Sequence, residues 1–569
     1  MTDSNLVANA VVANASSQYI SIVPENGEQF NPQQKIIYNI EPEIGFIKKD
    51  SYLVFDILNN SSDFSRVTLN KNLGAHAIID RVDIYSKETG VLLESNTHYA
   101  QWCNIENQYM YDSTNNLSNH QGVGSPVSSR FSVVSGTNVV TGGRTLAGAH
   151  LIENNQLSPV DNGANGGAPT YTPRRFCIPL MVGLFGAYEA DEKAIPIMPF
   201  GGLRIEITLA RPEIALQDLG WRAKNIAFNS KDKDRIYDWK APIPPLTPNP
   251  HNDSGAQTLT LKWLADANHG WSKDLQDTGL CVGNKLQVLS GKDNTSSADL
   301  VTGSYAITAI TGATAQDKVI NGVATSVWTE LFIVLNYGAT GPNGNKNVTV
   351  KKVVSNNNYK VINTEFRLLQ VVPPPNVMDG LMKGINYQFT GYEVFFDNVP
   401  TASLRHQIPI HSVASKALAV FTMLYDTVND EGQIASSLDM YNGSLPNDIH
   451  LNDIVYFINN RLYPLRSYNP QNKKDKVLNT NELVKAFKAL GKQPLNLGSA
   501  DFGDLENYAN TPLIARELAR NGMVFDLRNA EPELRIAFSQ ARTNILRANT
   551  FVFSKKIIQT TATGVQVIH

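Results

Sequence analysis

Cysteine is scarce in this chain: Cys103, Cys177 and Cys281 are the only three in 569 residues. An odd, widely spaced set does not make the dense framework that staples small secreted domains. The thiols read as small apolar fillers of a protein folded in a reducing compartment. A basic surplus is missing as well, since 49 Lys and Arg against 52 Asp and Glu leave a formal net charge of -3. Neutralising many phosphates needs such a surplus, so sequence-specific nucleic-acid binding is not expected, and only a local basic patch facing a genome stays open. No run approaches the roughly 18 uncharged apolar residues that span a membrane. The opening MTDSNLVANAVVANASSQYISIV has neither the basic start nor the apolar core of a secretory signal. The Asn-x-Ser/Thr triplets at Asn294 and Asn347 therefore read as chance in an Asn-rich chain.

The motifs of common chemistries are also lacking. The nearest approach to a phosphate-binding loop, Gly341 to Lys346, has the wrong spacing and lies between strand-like runs. Gly122 and Gly124 are followed by Val127 where a dinucleotide fingerprint needs its third glycine. There is no Cys-x-x-Cys, His-Glu-x-x-His, calcium loop or Gly-x-Ser-x-Gly elbow. His406 and His411 are the closest histidine pair, and five residues apart on a strand they face opposite sides, which disfavours a shared metal. The acidic pairs Asp191–Glu192 and Asp430–Glu431 sit beside turn residues. A glycosidase needs two carboxylates roughly 5–10 Å apart in a cleft, and solvated loop charge is the plainer reading. No catalytic, cofactor-binding or metal residue is assigned, no cofactor is expected, and the chain is read as a non-enzyme.

What is present is a folded composition, 42% hydrophobic and 18% charged, in a chain too long for one core. Its texture is short β-branched and aromatic runs cut by Asn, Gly, Pro, Asp and Ser, the pattern of many strands joined by turns. Strands are predicted at 17–23, 35–40 and 51–58, with a hairpin over 77–94 whose turn, Lys87 to Gly90, ends on a glycine able to take positive φ. Helices are few. One is expected over 97–111 with Trp102, Ile105 and Tyr109 on one face. Another is expected over 481–490, capped by Asn479, with Leu483, Val484, Phe487 and Leu490 aligned and Gly491 ending it. Residues 112–172 read as a long exposed loop. Residues 213–358 read as an irregular region with strand-like pieces at 325–337 and 347–354.

One segment carries more information than any motif. Arg174-Arg-Phe-Cys-Ile-Pro-Leu-Met-Val-Gly-Leu-Phe-Gly186 is followed by Ala194-Ile-Pro-Ile-Met-Pro-Phe-Gly-Gly-Leu-Arg-Ile-Glu-Ile-Thr-Leu209. In its last part Leu203, Ile205, Ile207 and Leu209 alternate with Arg204, Glu206 and Thr208, a strand with one buried face. With its Ile178-Pro179-Leu180 strand, its Ile197-Met198-Pro199 element and the 203–207 strand in that order, the segment resembles the double jelly-roll major capsid proteins of large eukaryotic DNA viruses, virophages and polinton-like viruses. Further pieces follow in the family's order: a long strand over 359–372 closed by Pro373 to Pro375, a short helix over 377–383, strands at 387–396, 405–410 and 417–425, a strand from Ile454 ending in a turn at Tyr463-Pro464, and terminal strands at 522–527, 534–538 and 545–559, the last with Arg547, Asn549, Phe551 and Phe553 on one side.

The resemblance implies an all-β fold of two consecutive jelly-roll sandwiches with long surface loops, one large insertion and a few short helices. It divides the chain into an N-terminal arm (1–16), a first jelly roll (17–375) containing an exposed insertion at about 213–358, and a second jelly roll (384–569). The insertion is longer than the family's link at that point, which leaves a separate intervening subdomain as the alternative. The implied role is a structural subunit forming homotrimeric, pseudo-hexagonal capsomers of an icosahedral virion. Its partners would be neighbouring capsomers, penton proteins and minor capsid or cement proteins, with contact to an internal membrane left open. Synthesis would take place in the host cytoplasm or a virus factory. Two other readings differ in class: a secreted-type β-sandwich carbohydrate-binding protein or glycoside hydrolase, and a minor vertex or spike protein. Neither a cluster of Trp beside an acid pair nor a secretion signal favours the first, and two jelly rolls disfavour the second.

Overall fold

The computed structural model describes residues 16–110, 173–218, 257–372, 384–426, 451–492, 513–519 and 525–569, apart from short breaks inside those spans, together with the pairs 139–140, 144–145 and 239–240. The N-terminal arm, almost all of 112–172, the acidic pairs, Cys281 and the helix expected at 377–383 lie outside them.

Every strand pair among the described residues is antiparallel, and the strands fall into two sandwiches with one wiring. In the first, the principal strands in chain order are Ser16–Ile22 (continued by Gln29–Phe30), Lys35–Ile40, Tyr52–Asn59, Ile79–Ser86, Leu92–Asn96, Arg174–Pro179, Leu203–Leu209 and Tyr359–Val372. Numbered one to eight, they form one sheet in the order 1-8-3-6 and a facing sheet in the order 2-7-4-5. The second sandwich is built from Asn386–Val399, Arg405–Pro409, Ala417–Asp426, Leu451–Ile458, Arg461–Tyr468, Leu513–Glu517, Glu533–Phe538 and Leu546–Thr561. These repeat 1-8-3-6 and 2-7-4-5. That order, two four-stranded sheets with the last strand seated beside the first, is the jelly roll, and this chain contains it twice.

Alternation explains the elements. In Leu203–Leu209 the four aliphatic side chains enter the first core, while Glu206 on the other face takes ion pairs from Lys35 and Arg204, both at 2.7 Å. Facing strands contribute Ile36, Tyr38 and Ile84 from one sheet and Phe55, Phe176, Phe366 and Leu368 from the other. Each core holds one buried tyrosine that reaches across to a threonine of the opposite sheet, because a buried hydroxyl must find a partner. Tyr38 meets Thr364 in the first core, and in the second Tyr456 donates to Thr422 at 2.7 Å.

Helix α1 (Tyr99–Met110) follows the fifth strand of the first sandwich, and helix α2 (Lys473–Ala489) follows the fifth strand of the second. Trp102 and Ile105 of α1 are buried as expected, and the side chain of Tyr109 lies outside the described set. α2 begins well before the predicted start, so Asn479 lies inside the helix and does not cap it. No Pro or Gly interrupts 473–480, so the helix runs on through residues with no apolar face of their own. Gly491, at φ +68, closes it as predicted.

Two terminal readings change. The segment from Ile454 to Pro464 is a hairpin and not one strand ending at Tyr463-Pro464: Ile458 pairs with Arg461, and Asn459 and Asn460 both take positive φ. Asn tolerates that conformation, which the mirror-image two-residue turn requires. Pro464 then sits on an edge strand, where its missing N–H costs no ladder bond. Of the strand expected over 522–527, residues 522–524 lie outside the described residues, and in 525–527 Phe525 makes a single bridge to Ala417. The sheet edge beside Ala417–Asp426 is taken by Leu513–Glu517, which lacks a strong alternating pattern. The 213–358 region, between the seventh and eighth strands of the first sandwich, carries its own seven-stranded sheet in the order Trp239–Lys240, Asn345–Lys352, Lys285–Asp293, Gly303–Ile320, Val323–Asn336, Thr258–Leu264, with Trp271–Ser272 beside Val323–Asn336. Leu259, Leu286, Ile307, Ile333 and Leu335 are buried there and belong to neither sandwich core.

The Asn459-Asn460 turn makes a direct check. Asn459→Val places a β-branched residue at φ +52 and should destabilise the protein by about 1 kcal/mol or more. Asn460→Gly should leave thermal unfolding unchanged or raise its midpoint slightly, and a reversed order of the two would contradict the turn type.

Candidate assembly interface

The sheet 1-8-3-6 of the second sandwich turns an aromatic outer face toward the first. Phe421 and Met423 come from its third strand, Phe551 and Phe553 from its eighth, and Tyr392 from its first. They point outward because Val420, Thr422, Leu424, Thr550 and Val552, the alternate residues, fill or bond within the second core. Two helices cover this face. α2 lays down Leu483, Ala486, Phe487 and Leu490, and α1 brings Trp102 and Ile105 from the first sandwich. Trp102 is fully buried and lies within 6.4 Å, centroid to centroid, of the rings of Tyr188, Tyr392, Phe421, Phe487, Phe551 and Phe553.

Several polar groups inside this joint are matched in pairs. The Trp102 indole donates to Glu106 at 3.1 Å, and Lys492, just beyond α2, pairs with the other oxygen of Glu106 and lies 5.1 Å from the centroid of the Tyr188 ring. The excursion 181–188 is held by Glu94, whose carboxylate accepts the N–H groups of Gly183 and Leu184 at 2.8 and 2.7 Å. Burial raises the pKa of Glu94, and those two N–H bonds pull it back. Tyr99 of α1 accepts the N–H of Met181 at 3.1 Å, and Tyr392 donates to the Thr97 carbonyl at 3.3 Å. At Gly183 the two backbones meet so closely that a Cβ would stand 2.0 Å from the Thr390 carbonyl oxygen. The strands Asn386–Val399 and Leu546–Thr561 also run past their own sandwich, so that Phe389 and Ile558 join the first core. The strand Gly564–Ile568 pairs with Leu546–Thr561 and packs Val565 and Val567 there too.

The same sheet of the first sandwich has a different outer face. Its third strand presents Tyr52, Val54 and Asp56; its eighth presents Glu365, Arg367 and Leu369; its first presents Tyr19 and Ser21; its sixth presents Arg175 and Cys177. Charge replaces aromatic cover. Arg175 grips Asp56 with two bonds at 2.7 and 3.1 Å, and Asn363, at φ +50 in a bulge, donates to the same carboxylate at 2.9 Å. Arg367 and Ser21 both bond Glu365. Against the opposing pull of burial, these donors hold Asp56 below its ordinary pKa; Glu365 is likewise lowered, first by the Ser21 hydroxyl. No helix of this chain lies on this face among the described residues, and Tyr19 is 55% exposed.

The acidic pairs weighed for chemistry lie outside the described residues, and the two histidines do not come together. His406 bonds Asp397 at 3.1 Å, and His411 is exposed beyond the strand end. Among the described residues no three His, Cys, Asp or Glu side chains are placed to hold a metal ion. Cys103 is buried with its pKa raised by that burial, and Cys177 is half-buried. Sequence reading aligned Phe551, Phe553 and Asn549 on one side without identifying their cover. Glu94 and Gly183 were missed altogether, because a contact between distant segments leaves no local pattern.

No family model and no curated protein matches the sequence. Among solved structures the chain is similar to the Faustovirus major capsid protein, at 10% identity over 95% of this chain and 90% of that one, with a TM-score of 0.48. It is similar to the PBCV-1 virus capsid at 8% identity over 98% and 97%, with a TM-score of 0.44. The mavirus major capsid protein aligns at 11% identity over 97% and 90%, with a TM-score of 0.34.

Two substitutions test the joint. Gly183→Ala should force the two sandwiches apart at Thr390 and lower the unfolding midpoint by several degrees, an overpacking cost of about 1–3 kcal/mol. Trp102→Ala should cost about 3–5 kcal/mol in chemical denaturation. If either is silent, the contact does not hold the sandwiches together.

Proposed function

We propose that this chain is a major capsid protein, a structural subunit that forms homotrimeric, pseudo-hexagonal capsomers tiling an icosahedral virion. The observation that carries this reading is the repeated jelly roll with unequal outer faces. Within the chain, the first sandwich covers the aromatic face of the second. The equivalent face of the first, with Arg175, Arg367, Tyr19 and Tyr52, has no such cover among the described residues. Passing the same relation from copy to copy closes a ring in which every such face is covered, and closed symmetry is the usual solution for homo-oligomers. Three copies supply six sandwiches, the count a hexagonal outline needs.

The two faces suit two kinds of contact. A dry aromatic joint forms once, during folding, and stays closed. A face of ion pairs suits partners that fold separately and must find their register, because charge selects orientation more than it adds affinity. In this reading residues 17–375 and 384–569 are the two domains, the 213–358 sheet is an insertion on the first, and residues 1–16 are an arm for neighbours inside the particle. Neighbouring capsomers, penton proteins and cement proteins are the partners, and the virion is the location.

Light scattering with negative-stain imaging of the purified protein tests this. The expected result is a particle of three times 62.6 kDa with a hexagonal outline. Reversing both exposed arginines, Arg175→Glu with Arg367→Glu, should shift it to monomer without altering the circular dichroism spectrum. A wild-type monomer would overturn the proposal, and a trimer indifferent to the double reversal would move the interface to another face.

A further inference from the structure

The approach to α1 contains an arrangement that assembly does not require. His98 is the residue whose carbonyl accepts the first bond of the helix, from the Trp102 N–H at 3.2 Å, and it holds that place at φ +54. Its ring lies 6.3 Å from that of Phe396, on the first strand of the second sandwich, and its Nδ1 is buried with no hydrogen-bond partner among the described residues. The imidazole therefore stands on the seam between the sandwiches, at the positive end of a helix dipole, where a cation is disfavoured.

The charges around it act in the same direction. From Leu546–Thr561, Arg547 faces His98 and lies over the other part of the Phe396 platform, 5.9 Å from the ring centroid. On Asn386–Val399, Asp397 is engaged with His406, and Glu393 with Lys556 and His569. On α1, Glu106 is held by Trp102 and Lys492, and on Leu92–Asn96, Glu94 is held by Gly183 and Leu184. No carboxylate is left to balance an imidazolium at this position among the described residues. Neutral His98 fits the seam, and a protonated one meets the dipole, Arg547 and a buried Nδ1 at once.

We propose that His98 is an acid-operated latch on the joint: neutral, it lets α1 seat against the second sandwich, and protonated, it releases the first turn of α1 and uncovers the Phe396 end of the seam. The rest of the joint, centred on Trp102, stays closed, so the device loosens one end without unfolding either sandwich. Burial, with Arg547 adding to it, depresses the His98 pKa to about 4, and burial alone brings His76 to about 4 as well. The sign follows: the unfolded or released form binds a proton more readily than the seated form. The seat is therefore fully stable above the ordinary histidine pKa near 6.5 and weakens as pH falls from there towards 4. His76 lies beneath α1, bonded to Tyr99 at 3.1 Å, and shares that pH window, so it is the necessary control.

Hydrogen exchange read by mass spectrometry on the full-length protein, corrected for the intrinsic pH dependence of exchange, resolves the peptides covering 97–110 and 392–399. In the wild type both should lose protection together, at least tenfold, between pH 6.5 and 4, with the core strands still protected. His98→Asn keeps a residue that tolerates positive φ but does not titrate, and it should abolish the loss. Arg547→Gln removes the opposing charge, should raise the pKa of seated His98 towards that of the released form, and should therefore shrink the loss of protection and move it to lower pH. His76→Gln should leave the midpoint in place. A wild type that stays protected to pH 4, a transition unchanged in both His98→Asn and Arg547→Gln, or one abolished only by His76→Gln would each overturn the latch.

Discussion

The fold depends on the burial of one indole between two sandwiches. Trp102 leaves the first sandwich on α1 and enters a ring of six aromatic side chains, five of them from the second. Without that contact the outer face of the second sandwich would be a large exposed apolar patch, which soluble chains avoid. The other features of the joint serve this burial. Glu94 fixes the excursion that carries Tyr188, the Glu106–Lys492 pair ties α1 to the end of α2, and Gly183 keeps side-chain bulk out of the place where the backbones touch. A buried ion pair such as Glu106 with Lys492 adds little net stability, but it is costly to misplace, so it specifies one docking and rejects shifted ones.

Strand wiring imposes a second constraint. In a 1-8-3-6 sheet the last strand must slot between the first and the third, so each sandwich is completed only when its final strand arrives. For the first sandwich that strand is Tyr359–Val372, delivered after the whole insertion. For the second it is Leu546–Thr561, which also reaches Ile558 into the first core. Both sandwiches are thus completed by strands from late in the chain, and long-range pairing of this kind is slow to form.

Much of this was legible in the sequence because sheets write themselves locally. The strands at 35–40 and 359–372 match their predicted limits, and the 87–90 turn with Gly90 at φ +68 lies where expected. The ordered elements of 174–209 carried the family resemblance, and the double jelly roll they implied is the observed fold. Three readings failed for three physical reasons. α2 starts early because a polar stretch without a breaker can extend a helix that tertiary packing already anchors. The Asn459-Asn460 turn was passed over in favour of Tyr463-Pro464 because Pro reads as punctuation, although on an edge strand it interrupts nothing. Of the strand expected over 522–527, the described residues 525–527 make only a bridge, and the edge beside Ala417–Asp426 is taken by Leu513–Glu517. The interface was half legible: alternation marked the aromatic face and the α2 side of its cover, while Trp102 and Ile105 come from far earlier in the chain.

The stem of the insertion has a consequence of its own. The Tyr359 hydroxyl donates to the Ala210 carbonyl at 2.6 Å, both groups buried, so the chain departs and returns at a single pinned point. Closing a long loop costs little more than closing a shorter one, and the pin makes the sandwich indifferent to what is threaded between its ends. The stretch between Asp218 and Tyr359, beyond the core residues Ala215 and Leu216, can therefore lengthen or be exchanged without retuning either jelly roll. The chain behaves there as a socket: a fixed frame that accepts interchangeable surface modules, with Tyr359 and Ala210 as its contacts.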